Sequence, residues 1–167
     1  PISKVRARGS DGALFTFRNT GEEATIYGIE IESKIDIITP EMNDENGNPL
    51  GPTLSLVLNA SRMWHEQDLI ERTTEEGAII ETFRYGTNKN APLQGASDWI
   101  MNSSLNLETS NNWVANVSAS YASDKIFAMG FARAQEDWDT RYNDAILEKG
   151  FVVLNSKISK QFGQNFQ

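Results

Sequence analysis

The chain of 167 residues contains no cysteine and a single histidine, and no two of its basic residues are adjacent. Without cysteine there is no disulfide framework, no thiolate metal site and no cysteine nucleophile. With one histidine, His65, a metal site would depend on carboxylates, and neither a catalytic triad nor a nucleophile elbow is present. The sequence therefore predicts that the protein is not an enzyme, with no catalytic residues, no metal ligands and no cofactor.

Long apolar runs and an excess of positive charge are also lacking. The net charge is −8, which argues against a nucleic-acid partner because phosphate binding requires clustered Lys and Arg. No run approaches the roughly 18 apolar residues of a transmembrane helix, whereas a membrane β-strand needs only about 9–11 alternating residues. The first residues show no signal-peptide pattern, so we expect a processed chain or an internal piece of a longer protein.

What the sequence does contain is alternation of apolar and polar residues with a period of two, which is typical of β-strands. Five segments alternate well: Thr25–Ile38, Thr53–Glu66, Trp99–Glu108, Trp113–Ser123 and Phe151–Gln161. A weaker candidate strand lies within Lys4–Arg18, where Gly9, Asp11 and Gly12 interrupt the pattern. The sequence therefore predicts an all-β fold, an antiparallel meander of about six long strands.

The connections between these segments differ in length. Ser110-Asn111-Asn112 is a short polar turn, whereas 71–96 and 130–150 are long and polar. Short turns on one side and long loops on the other are typical of outer-membrane barrels, and the candidate strands exceed the usual length of about 5–6 residues. The pattern predicts that 1–167 form one partial domain of a transmembrane β-barrel. A soluble envelope β-sandwich, acting in binding or adhesion, remains the alternative, because it also needs alternating strands.

In a membrane barrel the polar strand faces point into the lumen and the apolar faces contact lipid. The residues predicted to face the lumen are Glu30, Glu32, Lys34, Asp36, Asn102, Asn106, Asn116 and Ser118. The residues predicted to contact lipid or form an aromatic girdle are Tyr27, Ile29, Ile31, Trp99, Leu105, Trp113, Val117 and Tyr121. The alternatives are a solvated strand face for the first set and sandwich-core packing for the second. Arg62, on the apolar face near a strand end, is expected to reach water.

Two loop segments carry clustered oxygen atoms. Asp44-Glu45-Asn46-Gly47-Asn48 has them at alternate positions, as calcium loops do, but lacks the distal bidentate Glu, so a polar turn is favoured. Glu136-Asp137-Trp138-Asp139 could bind a cation or a sugar ring, although a solvated charge cluster is the simpler interpretation.

Three motifs, in order along the chain, resemble those of one family. Asn19-Thr20-Gly21 followed by Tyr27-Gly28-Ile29-Glu30-Ile31-Glu32 resembles the N-x-G and Y-G-x-E-x-E signature in the late barrel of TonB-dependent receptors. Pro92-Leu93-Gln94-Gly95 resembles the R-P-L-Q-G-x-S-P segment, with Ala91 and Asp98 replacing the usual Arg and Pro. Lys160-Gln161-Phe162-Gly163 begins a segment similar to the K-K-F-G-K-N-F turn, and the closest similarity is to the branch common in Bacteroidetes.

This resemblance implies the C-terminal part of a barrel in the bacterial outer membrane that imports a scarce nutrient such as a metal chelate, cobalamin or a glycan. It implies as partners the lipid bilayer, the remaining barrel strands, a plug domain and, through that plug, TonB. The 167 residues contain no plug domain, no TonB box and no final family strands, so we expect a fragment that does not transport by itself.

Overall fold

The computed structural model describes residues 1–9, 12–45, 47, 50–77, 79–86, 88–133 and 144–162. Within this part of the chain the regular secondary structure is entirely β-strand. The strands are β1 (Ile2–Gly9), β2 (Gly12–Asn19), β3 (Ala24–Ile38), β4 (Thr53–Asp68), β5 (Glu71–Thr73), β6 (Ile79–Arg84), β7 (Asn90–Ala91), β8 (Trp99–Glu108), β9 (Trp113–Ala122), β10 (Lys125–Ala128), β11 (Gly130–Arg133), β12 (Ile146–Glu148) and β13 (Phe151–Lys160). The described residues contain no helical membrane span.

The chain divides into two compact units. The first, called here the small-sheet unit, comprises Pro1–Gly28, Met63–Asp98 and Ser123–Gly150. The second, called here the long-strand unit, comprises Ile29–Arg62, Trp99–Ala122 and Phe151–Gln167. Each unit is therefore assembled from three separate stretches of sequence.

The long-strand unit is built on one sheet whose strands follow the order β13-β9-β8-β4-β3. The pairs β4–β8, β8–β9 and β9–β13 are antiparallel over ten, nine and ten residue pairs. Strands that follow one another among these five are neighbours in the sheet, so the topology is a meander. The predicted all-β antiparallel meander is confirmed.

The strand ends agree closely with the alternation in the sequence. Strand β8 has the predicted bounds, β3, β9 and β13 differ from theirs by one residue at one end, and β4 continues two residues further to Asp68. The sixth candidate strand, within Lys4–Arg18, was predicted wrongly, because β1 and β2 form an antiparallel hairpin there with Gly9 opposite Gly12. Gly9 and Gly12, which interrupt the alternation, thus lie opposite each other at the ends of β1 and β2.

The two long polar connections are also more ordered than their composition predicts. Strands β5, β6 and β7 lie between β4 and β8, and β10, β11 and β12 lie between β9 and β13. Strand β6 pairs with both β5 and β11, while β10 pairs with β12. These short strands belong to the small-sheet unit.

Among the described residues, the buried apolar side chains form a cluster in the small-sheet unit. Val5, Phe83, Ala91, Ile126 and Met129 are at most 2% exposed and pack as one cluster. Val5 comes from the hairpin and Met129 lies beside it, joined by hydrogen bonds from the Met129 N–H to the Lys4 carbonyl (2.9 Å) and from the Arg6 N–H to the Met129 carbonyl (3.3 Å). The core thus holds together strands more than 100 residues apart in sequence.

Candidate functional site

The long-strand unit has two chemically distinct sheet faces, and its register shows which residues share each face. Directly opposite residues on neighbouring strands project to the same side of the sheet. On the polar side, three rungs cross β4, β8, β9 and β13: Ser55-Asn106-Asn116-Lys157, Val57-Ser104-Ser118-Asn155 and Asn59-Asn102-Ser120-Val153. Asn102, Asn106, Asn116 and Ser118, predicted to face a lumen, therefore lie on one face.

Side-chain amides and hydroxyls link these rungs. The Asn116 amide donates to the Asn106 carbonyl oxygen at 2.6 Å and to the Ser104 hydroxyl at 2.7 Å. The Asn102 amide donates to the Asn59 side-chain oxygen at 3.4 Å. Such amide pairs offer both donors and acceptors to water or a polar solute.

Strand β3 adds charge to the same face. The Asn59 amide donates to the Glu30 carboxylate at 2.7 Å. Lys34 and Asp36 form an exposed ion pair at 3.5 Å, which places two further predicted lumen residues on one side of β3. By strand alternation Glu32 lies between Glu30 and Lys34 on that side. Asn59 was not among the predicted site residues, although its position on the polar face of β4 is the signal for it.

The opposite face is apolar and exposed. Its rungs are Leu54-Leu107-Ala115-Ile158, Leu56-Leu105-Val117-Ser156, Leu58-Ser103-Ala119-Leu154 and Ala60-Met101-Tyr121-Val152. Val117, on a strand with neighbours on both sides, is 54% exposed, and Ile31 on β3 is 66% exposed. Leu105, Val117 and Tyr121, predicted to contact lipid, therefore share a face, and Ile29 and Ile31 share one side of β3.

A shallow groove of about 550 Å³ lies in this apolar face. Ile31, Leu58, Met101 and Tyr121 line it around the smaller Ser33, Ser103 and Ala119. No charged side chain contributes to its lining. The groove therefore suits hydrocarbon rather than an ionic solute.

Tryptophan side chains bound the apolar face, each with a basic partner. The Arg62 guanidinium lies 5.1 Å from the Trp99 ring centroid at one end, and the Lys160 ammonium lies 4.9 Å from the Trp113 ring at the other. Arg62 is half-buried: its Nη1 atom is buried, and its guanidinium lies against the indole ring, an arrangement stabilised by cation–π attraction. The expectation that Arg62 reaches water stays a prediction.

The two tryptophans set the height of the apolar face. Glu108 pairs with Val114, and the Thr109 N–H donates to the Trp113 carbonyl at 2.9 Å, so Trp113 lies opposite Thr109. Thr109 follows β8 and is ten residues beyond Trp99. At about 3.4 Å per residue this separation is roughly 34 Å along the strand. Strands tilted by 35–45° would project it to about 24–28 Å, which matches the apolar band of about 25 Å in membrane barrels.

The predicted girdle residue Tyr27 belongs to the small-sheet unit. Its ring stacks on the Trp64 ring with centroids 5.5 Å apart and an interplanar angle of 13°. Tyr27 is 63% exposed and Trp64 is 38% exposed. This aromatic pair, formed across β3 and β4, was not predicted, because the β3–β4 register is not encoded in either strand alone.

His65, the only histidine, is a buried structural residue. Its side chain is 1% exposed and its Nδ1 atom accepts a hydrogen bond from the Leu93 N–H at 3.0 Å. Because Nδ1 is an acceptor, the neutral ring carries its proton on Nε2, which faces Asp98 at 3.3 Å without hydrogen-bond geometry. His65 thereby fastens β4 to the segment that precedes β8.

The structure describes the two loop segments with clustered oxygen atoms only in part. Gly47, with φ of 83°, donates its N–H to the Asp44 carbonyl at 3.0 Å, which is a turn, while Asn46 and Asn48 lie outside the described residues. Glu136-Asp137-Trp138-Asp139 also lie outside them. In the part of the chain that the structure covers, no group of three or more His, Asp or Glu side chains could hold a metal ion.

The Asp124 carboxylate, in the small-sheet unit, is held by a backbone hydrogen bond and by an ion pair. It accepts hydrogen bonds from the Gly150 N–H at 2.8 Å and from the Lys149 ammonium at 2.6 Å. First the Gly150 amide and then Lys149 hold the pKa of Asp124 below its ordinary value of 3.8, and Asp124 raises the pKa of Lys149 above 10.5. This pairing closes the 124–150 connection.

A pH titration tests this closure. Because the pKa of folded Asp124 is lowered, its stabilising contribution is complete above the ordinary value of 3.8 and is lost as the pH falls through the lower folded value. NMR titration of the carboxyl group should therefore give a pKa below 3.8. Lys149→Gln should leave the pKa lowered, because the Gly150 amide is the larger cause. A pKa at or above the ordinary value in the parent chain would contradict the closure.

No protein-family model, curated protein or solved structure matches the chain.

Proposed function

We propose that this chain forms part of the wall of a bacterial outer-membrane β-barrel of the TonB-dependent receptor type, which takes up a scarce nutrient such as a metal chelate, cobalamin or a glycan. The observation that carries the proposal is the exposed apolar face, bounded by Trp99 and Trp113, whose height matches that of a lipid-facing band. The order of the N-x-G, P-L-Q-G and K-Q-F-G motifs supports the family.

The two faces then have distinct roles. The apolar face contacts acyl chains, and the indole rings lie at the two interfaces, where an amphipathic ring is stabilised. The rungs around Asn102 and Asn116 face a water-filled interior, where they hydrogen-bond to water, to a plug domain or to a passing solute. The chain acts as receptor and transporter wall, not as an enzyme.

The outer edges of β3 and β13 define the required partners. Each of these strands has a single neighbour in the sheet within the described residues. Strands that span a membrane must pair on both edges, because no water is present to satisfy their backbone groups. The remaining barrel strands pair there, and TonB acts through the plug domain of the same assembly.

The exposure of the apolar face disfavours the soluble β-sandwich. A sandwich buries the apolar face of each sheet against the other. Here Leu154 and Ile158 are 73% and 72% exposed, and Val117, which is not at an edge, is 54% exposed. In water such a face would drive aggregation.

Site-directed spin labelling tests the assignment of the faces. The chain has no native cysteine, so Ile31→Cys and Glu32→Cys each give one labelled site without background. In phosphatidylcholine bilayers that also contain the remaining barrel strands, the label at 31 should be relaxed mainly by oxygen, which dissolves in lipid, and the label at 32 mainly by a water-soluble nickel complex. Equal accessibility at the two neighbouring sites, or a chain that stays monomeric and folded in buffer without lipid, would refute the proposal.

A further inference from the structure

The β1–β2 hairpin carries a positive charge that contrasts with the rest of the chain. Residues 1–18 contain four of the 15 basic residues and one of the 23 acidic residues, which gives this segment a charge of +3 in a chain whose total is −8. A local reversal of charge on an acidic protein selects anionic partners at that location only.

One face of the hairpin combines basic and aromatic side chains. The register places Lys4 opposite Phe17 and Arg6 opposite Phe15, while the alternating residues Ser3 and Val5 are buried. Phe127 adjoins this face, with its ring edge-to-face against Phe15 at 5.8 Å. We call this surface the basic–aromatic face; its residues are Ile2, Lys4, Arg6, Phe15, Phe17 and Phe127.

The aromatic rings hold the Lys4 ammonium without neutralising it. The Nζ atom lies 3.7 Å from the Phe127 ring centroid and 4.4 Å from that of Phe15. Cation–π attraction orients an ammonium group but leaves its formal charge intact. Among the described residues neither Lys4 nor Arg6 forms an ion pair with a carboxylate, so no carboxylate neutralises these two half-buried cations.

The same face exposes large apolar side chains. Ile2 is 76% exposed and Phe17 is 70% exposed. A purely ionic partner such as free phosphate or an acidic peptide gains nothing from these side chains. A lipid headgroup region does, because aromatic and aliphatic side chains enter the boundary with the acyl chains while basic groups meet the phosphates.

We propose that the basic–aromatic face binds the phosphate headgroup of an anionic lipid. Lys4 acts as a point charge, Arg6 can donate two parallel hydrogen bonds to phosphate oxygens, and Ile2 and Phe17 contact the adjoining hydrocarbon. This binding site is separate from the wall function proposed above, since it requires the folded hairpin but not insertion of the long strands.

The test is an NMR titration of the full chain folded in neutral maltoside micelles. Phosphatidic acid should shift the amide signals of residues 2–6 and 15–18 saturably, whereas phosphatidylcholine at the same mole fraction should not. Removing one basic side chain near a headgroup weakens binding about fivefold, so Lys4→Gln and Arg6→Gln together should weaken it about 25-fold. Phe17→Ser, which keeps the charge, should also weaken it.

A charge-matched control separates a defined site from general attraction. Lys89→Gln with Lys157→Gln removes the same net charge outside the face and should weaken binding less than about twofold, because remote surface charges are screened. Equal loss in this control, equal binding of both lipids, or the same saturable shifts with inorganic phosphate or polyglutamate would overturn the proposal. The amide signals of Phe83, Ala91 and Met129, in the core of the small-sheet unit, report whether each variant folds, and the single variants replace the double one if it does not.

Discussion

Replacement of Val117 by arginine is expected to destabilise the chain, assembled with the remaining barrel strands in a phosphatidylcholine bilayer, by about 2–4 kcal/mol, the cost of a basic side chain at the middle of a barrel's lipid face. Val117 pairs with Leu105 on one side and with Ser156 on the other. It lies near the midpoint between the Trp99 and Trp113 levels, too far from either interface for the guanidinium to reach headgroups easily. Urea unfolding in lipid vesicles, followed by tryptophan fluorescence, measures the change.

The neighbouring residue provides the control for Val117→Arg. Ser118 projects to the opposite face, next to Ser104 and Asn155. Ser118→Arg should change the free energy of unfolding by no more than about 0.5 kcal/mol, the range for surface substitutions in water. If both variants are neutral, or if the cost falls on Ser118→Arg, the two faces are assigned the wrong way round or no lipid contacts either one.

Alternation along a single strand is a local property, and this is why the sequence predicts the two faces well. A residue's side of the sheet depends only on whether its number along the strand is odd or even. The strand from Trp99 to Glu108 was therefore located without error, and Leu105 and Asn106 were assigned to opposite faces. Assignment of those faces to lipid and lumen remains a prediction.

Contacts between strands depend instead on register and on distant sequence. Glu30 and Asn59 are 29 residues apart, and their hydrogen bond exists only because β3 and β4 adopt one particular alignment. The stacking of Trp64 on Tyr27 depends on that same alignment. A period of two contains no information about register between strands, so neither contact could be read from the chain alone.

The short strands of the small-sheet unit were missed because their sequences carry too little pattern. Strand β5 has three residues and β7 has two, which is too few for alternation to be recognised. Tertiary contacts stabilise them: β7 pairs with the end of β4, where Gln67 is opposite Ala91. Their polar composition resembles that of a loop, although the backbone is hydrogen-bonded.

The P-L-Q-G motif has a structural role that its sequence does not reveal. The Gln94 side-chain oxygen accepts the Lys4 N–H at 2.5 Å, and its amide donates to the Lys4 carbonyl at 3.4 Å and to the Phe127 carbonyl. The Gln94 side chain thus hydrogen-bonds to the backbones of both β1 and β10, as the backbone of a neighbouring strand would. The Gly95 N–H continues the contact by donating to the Ile126 carbonyl at 3.0 Å.

A second glutamine, Gln67, links the N-x-G motif to the P-L-Q-G motif. Gln67 is 1% exposed, accepts a hydrogen bond from the Thr20 hydroxyl at 3.3 Å and donates one to the Pro92 carbonyl at 3.2 Å. Thr20 is also hydrogen-bonded to Ser3 at 2.8 Å. Buried polar groups require such partners, so the two motifs are joined through one buried network.

Gly21, in the N-x-G motif, lies close to Asp68 at the end of β4. A β-carbon at this position would lie 2.3 Å from the Asp68 carbonyl oxygen and 2.6 Å from an Asp68 carboxylate oxygen. The same carboxylate oxygen accepts hydrogen bonds from the Glu22 and Glu23 N–H groups, each at 2.9 Å. Asp68 therefore cannot move away from an added methyl group without giving up both bonds.

Gly21→Ala is accordingly expected to destabilise the small-sheet unit by about 3 kcal/mol, the upper part of the range for inserting a methyl group into a packed site. Gly77→Ala is the matched control: Gly77 has φ of 85° but no atom within 4 Å of its added β-carbon, so it should cost only about 1–2 kcal/mol from the left-handed backbone. Hydrogen exchange of the Glu22, Glu23 and Ile70 amides, compared between the two variants, measures the difference. If Gly21→Ala costs no more than Gly77→Ala, the glycine is not required by its contact with Asp68, and the motif needs another explanation.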